Sequence, residues 1–148
     1  MSTYTERAQA ERIVAEQRYV VLATADRDGT PWPSPVYYAH RGLHEFVWIS
    51  RPDTTHSRNI AERREISLVV FDSGQAPGTG AGVYARARAE ATTDEEALRL
   101  FSRRCESDGL GSYQADGLRQ SGFTLYRART TEVSLLPGGG RPDRRIPI

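Results

Sequence analysis

Residues 50–62 read SRPDTTHSRNIAE and gather the chain's most concentrated set of polar donors. They hold the hydroxyls of Ser50, Thr54, Thr55 and Ser57, the imidazole of His56, and the guanidiniums of Arg51 and Arg58. The segment breaks a β pattern and reads as the start of a short helix. Asp53 or Thr54 is placed to cap it by accepting first-turn N–H groups. A helix start carries unpaired N–H donors and partial positive charge, so it attracts anions. No Asp or Glu follows Asp53 until Glu62, which leaves the segment rich in donors for phosphate oxygens. The same residues also suit a solvated, capped helix anchored by Ile60.

A second stretch, PWPSPVYY, sets Pro31, Pro33 and Pro35 at alternate positions. In a strand the N–H groups of residues i and i+2 point to the same edge. Three prolines in that phase strip donors from one edge and leave Trp32, Ser34 and Val36 to donate on the other. Such a strand cannot be paired on both sides. It is either an edge blunted against aggregation or one lip of an opening where a flat ligand meets the main chain.

Other chemistries find little support. All 20 basic residues are arginine, so lysine Schiff bases and a lysine phosphate anchor are excluded. No cluster of His, Cys and carboxylate has metal-ligand spacing. No glycine-rich phosphate loop follows a strand, and no serine-hydrolase elbow occurs. His40 and His44 fall beside a hairpin loop. Cys105, the single cysteine, lies on a helical pattern and reads as an inert thiol in a reducing cytoplasm. No residue stands out as a catalytic acid or base.

These groups must be positioned by a domain of 148 residues, 38% of them hydrophobic, with a net charge of +1. That describes one globular unit, without the basic excess expected of a nucleic-acid or membrane-surface binder. The polar N-terminus does not read as a signal peptide, and the longest apolar runs are too short to cross a bilayer.

Residues 5–17 read as a helix. YVVLATA is a strand apolar enough for burial on both faces. DRDGT is a turn with Gly29 free for positive φ. PWPSPVYYAH and HEFVWIS continue as strands, the three forming an antiparallel meander. EISLVVFDS is expected as a central strand, GQAPGTGAG as a loop, and VYARARAEATT as a strand with one wet face. DEEALRLFSRRCESD is a helix with acidic residues in its first turn. Residues 109–120 carry no clear pattern. FTLYRARTTEVSLLP is a last strand or strand pair, and residues 138–148 are a flexible or extended tail. This order predicts a mainly β architecture, a barrel of about six antiparallel strands with peripheral helices.

The ordered set VVLATADRDGTPWPSPVYY, FVWISRPDTTHSRNIAE and ISLVVFDS resembles the FMN-binding split-barrel family related to pyridoxamine phosphate oxidase, over residues 11–90. The resemblance implies a homodimer with a flavin at the subunit interface. It implies that Ser34, Pro35, Val36 and Tyr37 contact the isoalloxazine largely through backbone, with Ile49 and Ser50 near the ring and ribityl chain. The phosphate would sit near Thr55 and His56, with Arg51 and Arg58 as further candidates.

Two departures stand out. The family usually places Arg and Lys where this chain has Thr55 and His56, so its phosphate affinity should be weaker or more pH-dependent. The tail carries Arg141, Arg144 and Arg145 but lacks the family's substrate-gripping Arg–His motif, which argues against vitamin B6 oxidation. The implied activity is a small FMN-dependent oxidoreductase passing hydride between a reduced nicotinamide or other small molecule and the flavin. The alternative is a non-catalytic carrier or sensor for a flavin, deazaflavin or haem. Trp32, Tyr37, Tyr38 and Trp48 are candidates for a substrate-side lining.

Overall fold

The computed structural model describes residues 4–141 and 144–148. The elements run α1 (Tyr4–Glu16), β1 (Tyr19–Ala25), β2 (Pro31–Tyr37), β3 (Ala39–Arg41), β4 (Glu45–Ser50), α2 (Thr55–Glu62), β5 (Glu65–Phe71), β6 (Gly82–Ala91), α3 (Glu95–Ser107), α4 (Ala115–Ser121), β7 (Thr124–Leu136) and β8 (Ile146–Pro147). All the strands belong to one antiparallel sheet ordered β2-β1-β5-β6-β7-β4-β3, with β8 on β7. Six of them are long, and β3 and β8 are short additions, so the sheet curls into the expected split barrel.

Burial alternates along the strands. On β6, Val83, Ala85, Ala87 and Ala89 point inward while Arg86 and Arg88 face water. The interior holds Val20, Leu22, Phe46, Trp48, Leu68, Val70 and Tyr126, closed at one end by Ala10 and Val14 of α1. A second cluster lies outside β3, β4 and β7, where Val47 and Leu125 meet Phe101 and Cys105 of α3 and Leu118 of α4.

Several expectations need correction. β1 is buried on one face only: Val20, Leu22 and Thr24 point inward, while Tyr19 and Ala23 are exposed. Its apolar run is continuous because its outer face is an uncovered sheet surface rather than a second core. PWPSPVYYAH is two strands, divided at Tyr38. The three segments are not a simple meander, because β2 pairs with β1 whereas β4 pairs with β3 and β7. Residues 109–120 contain α4, which ends at Gly122 in a left-handed conformation. Sequence pattern hides that helix because Gly117 interrupts it and only Leu118 is buried. In the tail, Ile146 returns to pair with Leu135 of β7; Pro142 and Asp143 lie outside the described residues.

The break at Tyr38 creates the split. β3 zips onto β4 with Ala39 opposite Val47, and continuing that register would set Tyr37 opposite Ile49. Instead the chain bends at Tyr38, whose ring is fully buried and whose hydroxyl donates to the Val14 carbonyl. β2 then follows β1, with Val21 opposite Pro35 and Ala23 opposite Pro33. The prolines turn their donor-free edge away from β1, toward the gap, where they cannot extend the ladder. β2 and the C-terminal half of β4 therefore face each other unpaired.

Candidate functional site

α2 sits at this gap. Thr54 caps it, its side chain accepting from the Ser57 amide at 3.3 Å. The amphipathic spacing of the helix turns His56, Ser57, Asn59 and Ile60 toward the barrel and leaves Thr55 and Arg58 exposed. Ile60 is its one large apolar anchor. Asn59 adds a polar anchor, its Nδ2 donating to Thr24 Oγ1 at 3.0 Å; Thr24 in turn donates to the Trp32 carbonyl.

His56 bridges the two unzipped strands. Its Nδ1 lies 3.0 Å from Ser34 Oγ on β2, and its Nε2 lies 2.8 Å from Ser50 Oγ on β4 and 3.3 Å from Thr54 Oγ1. The residue is 7% exposed. Burial lowers its pKa below the ordinary histidine value, so near neutral pH the ring is uncharged, with one N–H donor and one acceptor.

The structure thus brings together Ser34, Ser50 and His56 from the sequence-derived set. Val36 is buried beside Ser34 on the inner face, and Pro35 faces outward. Ile49 points the opposite way from Ser50, toward α3 and α4, so only its backbone borders the gap. Thr55 and Arg58 lie on the solvent side of the helix mouth. Arg51 stacks over Phe123, with its guanidinium carbon 5.1 Å from the ring centroid.

Tyr37 turns its side chain away from the gap. Its hydroxyl donates to Asp108 Oδ2 at 2.7 Å, and Arg104 Nε binds the same oxygen at 2.9 Å. Arg104 also donates to the Gln17 carbonyl at 3.0 Å, tying α3 to the end of α1. Burial, reinforced by the bond to Asp108, raises the Tyr37 pKa, so the phenol keeps its proton and serves packing rather than proton transfer.

Sequence reading missed two features. Asn59 lies three residues after His56, the spacing that shares a helix face, but its partner Thr24 comes from a distant strand. Trp48 is wholly buried, stacked on Tyr126 at 5.9 Å, and its indole N–H has no partner among the described residues. Among those residues no group of His, Cys, Asp or Glu is arranged to hold a metal ion, and no helix is long and apolar enough to cross a membrane. A groove of about 360 Å³ lies away from the gap, on the outer face around Val21, Val69, Tyr84 and Arg145.

The donor set fits an anionic phosphate: three hydroxyls lie around an imidazole at a helix mouth, and Arg51 and Arg58 are exposed on the same segment. The barrel and its split define a pyridoxamine phosphate oxidase-like split-barrel protein. The chain belongs to the pyridoxamine 5'-phosphate oxidase family, whose model matches residues 7–136. No curated protein matches it.

Among solved structures it is similar to a heme binding protein from Mycobacterium smegmatis, at 21% identity and a TM-score of 0.73, covering 100% of this chain and 58% of that one. It is also similar to a protein of the pyridoxinephosphate oxidase family from Clostridium acetobutylicum, related to general stress protein 26. That match has 17% identity and a TM-score of 0.74, over 99% of this chain and 96% of the other. HutZ, a heme storage protein from Vibrio cholerae, matches at 19% identity and a TM-score of 0.69, over 90% and 95% of the two chains. Likeness at these identities establishes the fold.

Proposed function

We propose that the protein is a cytoplasmic, homodimeric FMN-binding oxidoreductase acting on a small molecule or reduced nicotinamide. The observation that carries this reading is the polar cluster of Ser34, Ser50, Thr54 and His56 between two unpaired strand edges. Exposed main chain there suits a flat ring, and the helix mouth suits a phosphate. Bound FMN supplies the hydride and electron chemistry.

The chain's own residues bind and orient. Ser34 and Ser50 fix the width of the gap through His56, and Thr54 holds the start of α2. Thr55, Arg51 and Arg58 add donors from the solvent side. The backbone of Ser34, Pro35, Val36 and Tyr37, with that of Ile49, borders the ring position. A homodimer would bring a second copy against the uncovered outer face of β1 and β5.

The test is FMN affinity of a Thr55→Ala, His56→Ala double variant. Affinity should fall about tenfold or more, ~1.4 kcal/mol, with the folded state retained at room temperature. Unchanged affinity would remove the phosphate from this helix mouth. NADH or NADPH oxidation above that of free FMN would separate an enzyme from a carrier.

A second reading, a haem carrier, draws support from two haem-associated proteins among the structural neighbours. Retention of haemin in preference to FMN would replace the flavin reading with this one.

A further inference from the structure

The gap is closed by side chains that satisfy one another. Both nitrogens of His56 are engaged, by Ser34 on one lip and by Ser50 and Thr54 on the other. The residues around the ring supply almost no fixed charge. The inward faces of β1, β2, β4 and β6 present Thr24, Ser34, Val36, Trp48, Ser50, Ala87 and Ala89, none of them acidic or basic. The β4–α2 connection contributes Arg51 and Asp53, both exposed. α2 contributes the exposed Arg58 and, at its far end, Glu62, which pairs with Arg27 at 3.2 Å.

A proton on His56 would therefore be a buried charge without a counter-ion. The hydroxyls of Ser34 and Ser50 can rotate to accept from both N–H groups of an imidazolium, so geometry permits the charged ring. What it lacks is a negative partner. A dianion at the mouth of α2 would be that partner.

We propose that His56 couples anion binding at the barrel split to the uptake of one proton from solvent, so that its imidazole is neutral without the anion and cationic with it. Here proton and anion each raise the affinity for the other, and the coupling is reciprocal. The inference rests on the phosphate site proposed above, and it adds the charge state in which that site works.

The experiment uses sulfate, a dianion that does not itself titrate near neutral pH, with ionic strength held constant by chloride. The imidazole of His56 is followed by NMR through a pH titration with and without saturating sulfate; His40 and His44 serve as internal references. Sulfate should raise the His56 pKa by about one unit or more, and sulfate affinity should fall about tenfold per pH unit between the two values. In His56→Gln, which keeps a donor and an acceptor but no titratable charge, sulfate affinity should be flat with pH.

An unmoved His56 titration, a flat wild-type affinity, or no sulfate binding at all would overturn the coupling. FMN retained with pH-independent affinity would overturn the coupling and leave the flavin reading intact. Coupled sulfate binding in a protein that rejects FMN would do the reverse.

Discussion

Replacing Ile60 with alanine should loosen α2 from the barrel and cost the protein much of its stability. Ile60 is 2% exposed and belongs to the interior cluster, yet it is the only large apolar side chain that α2 buries. The other inward residues of the helix, His56, Ser57 and Asn59, contribute polar contacts whose net worth is small because water offered the same bonds. The space vacated by Ile60 lies beneath hydrogen-bonded strands that cannot easily move in to fill it. A large-to-small change of this kind costs about 2–5 kcal/mol, and the rigid surroundings favour the upper half of that range. For a chain of this length each kcal/mol lowers Tm by roughly 2–4 °C, so a fall of about 7–20 °C is expected. Urea unfolding followed by circular dichroism measures the loss directly. The milder Ile60→Val should cost only ~0.5–1.5 kcal/mol. A loss below ~1 kcal/mol for Ile60→Ala would show that α2 is held by its polar contacts instead.

Other outcomes follow from single residues. Because burial lowers the His56 pKa, the unfolded chain binds its proton more readily than the folded one. Stability in the absence of anions should therefore be full above about pH 6.5 and decline as pH falls below it; urea midpoints across that range should show the decline, and His56→Gln should reduce it. Trp48→Phe removes a buried donor that has no partner among the described residues, a defect costing about 1–3 kcal/mol, which offsets the smaller ring. Its thermal midpoint should stay close to wild type, and a midpoint as low as that of Trp48→Ala would contradict this. Gly138 and Gly139 share a φ of +66°, but a Cβ on Gly138 would sit 2.5 Å from the carbonyl oxygens of Thr79 and Gly80, whereas one on Gly139 meets nothing. Calorimetry should find Gly138→Ala clearly more destabilising than Gly139→Ala, and equal costs would refute the close contact.

The strands were legible wherever burial and β-propensity agree. YVVLATA is β1 to the residue, and the alternating alanines and arginines of β6 marked its wet face. The proline phase of β2 correctly marked an edge, because a missing N–H is a local property. Long-range geometry was not legible. Nothing in PWPSPVYYAH says that the chain bends at Tyr38 to leave one strand for another, since that bend depends on Val14 of α1. Continuous apolar character on β1 suggested two buried faces, but a strand cannot report whether anything covers it. α4 was missed because a seven-residue helix with an internal glycine and one buried side chain has too little periodicity to read.

At the site, the residue types pointed to an anion, and the cap was narrowed to Asp53 or Thr54, of which Thr54 takes the position. The direct contacts of His56 with Ser34 and Ser50 could not be read, because they cross a gap defined by strands that do not pair. The family resemblance placed the phosphate near Thr55 and His56 with Arg58 as a further candidate, and the helix turns Thr55 and Arg58 toward solvent.

The most direct measurement is the visible absorbance of the purified protein after loading with FMN and removing the excess. The account predicts a retained flavin spectrum, and partial loss of it in the Thr55→Ala, His56→Ala variant. A colourless protein would contradict the flavin assignment while leaving the split barrel in place.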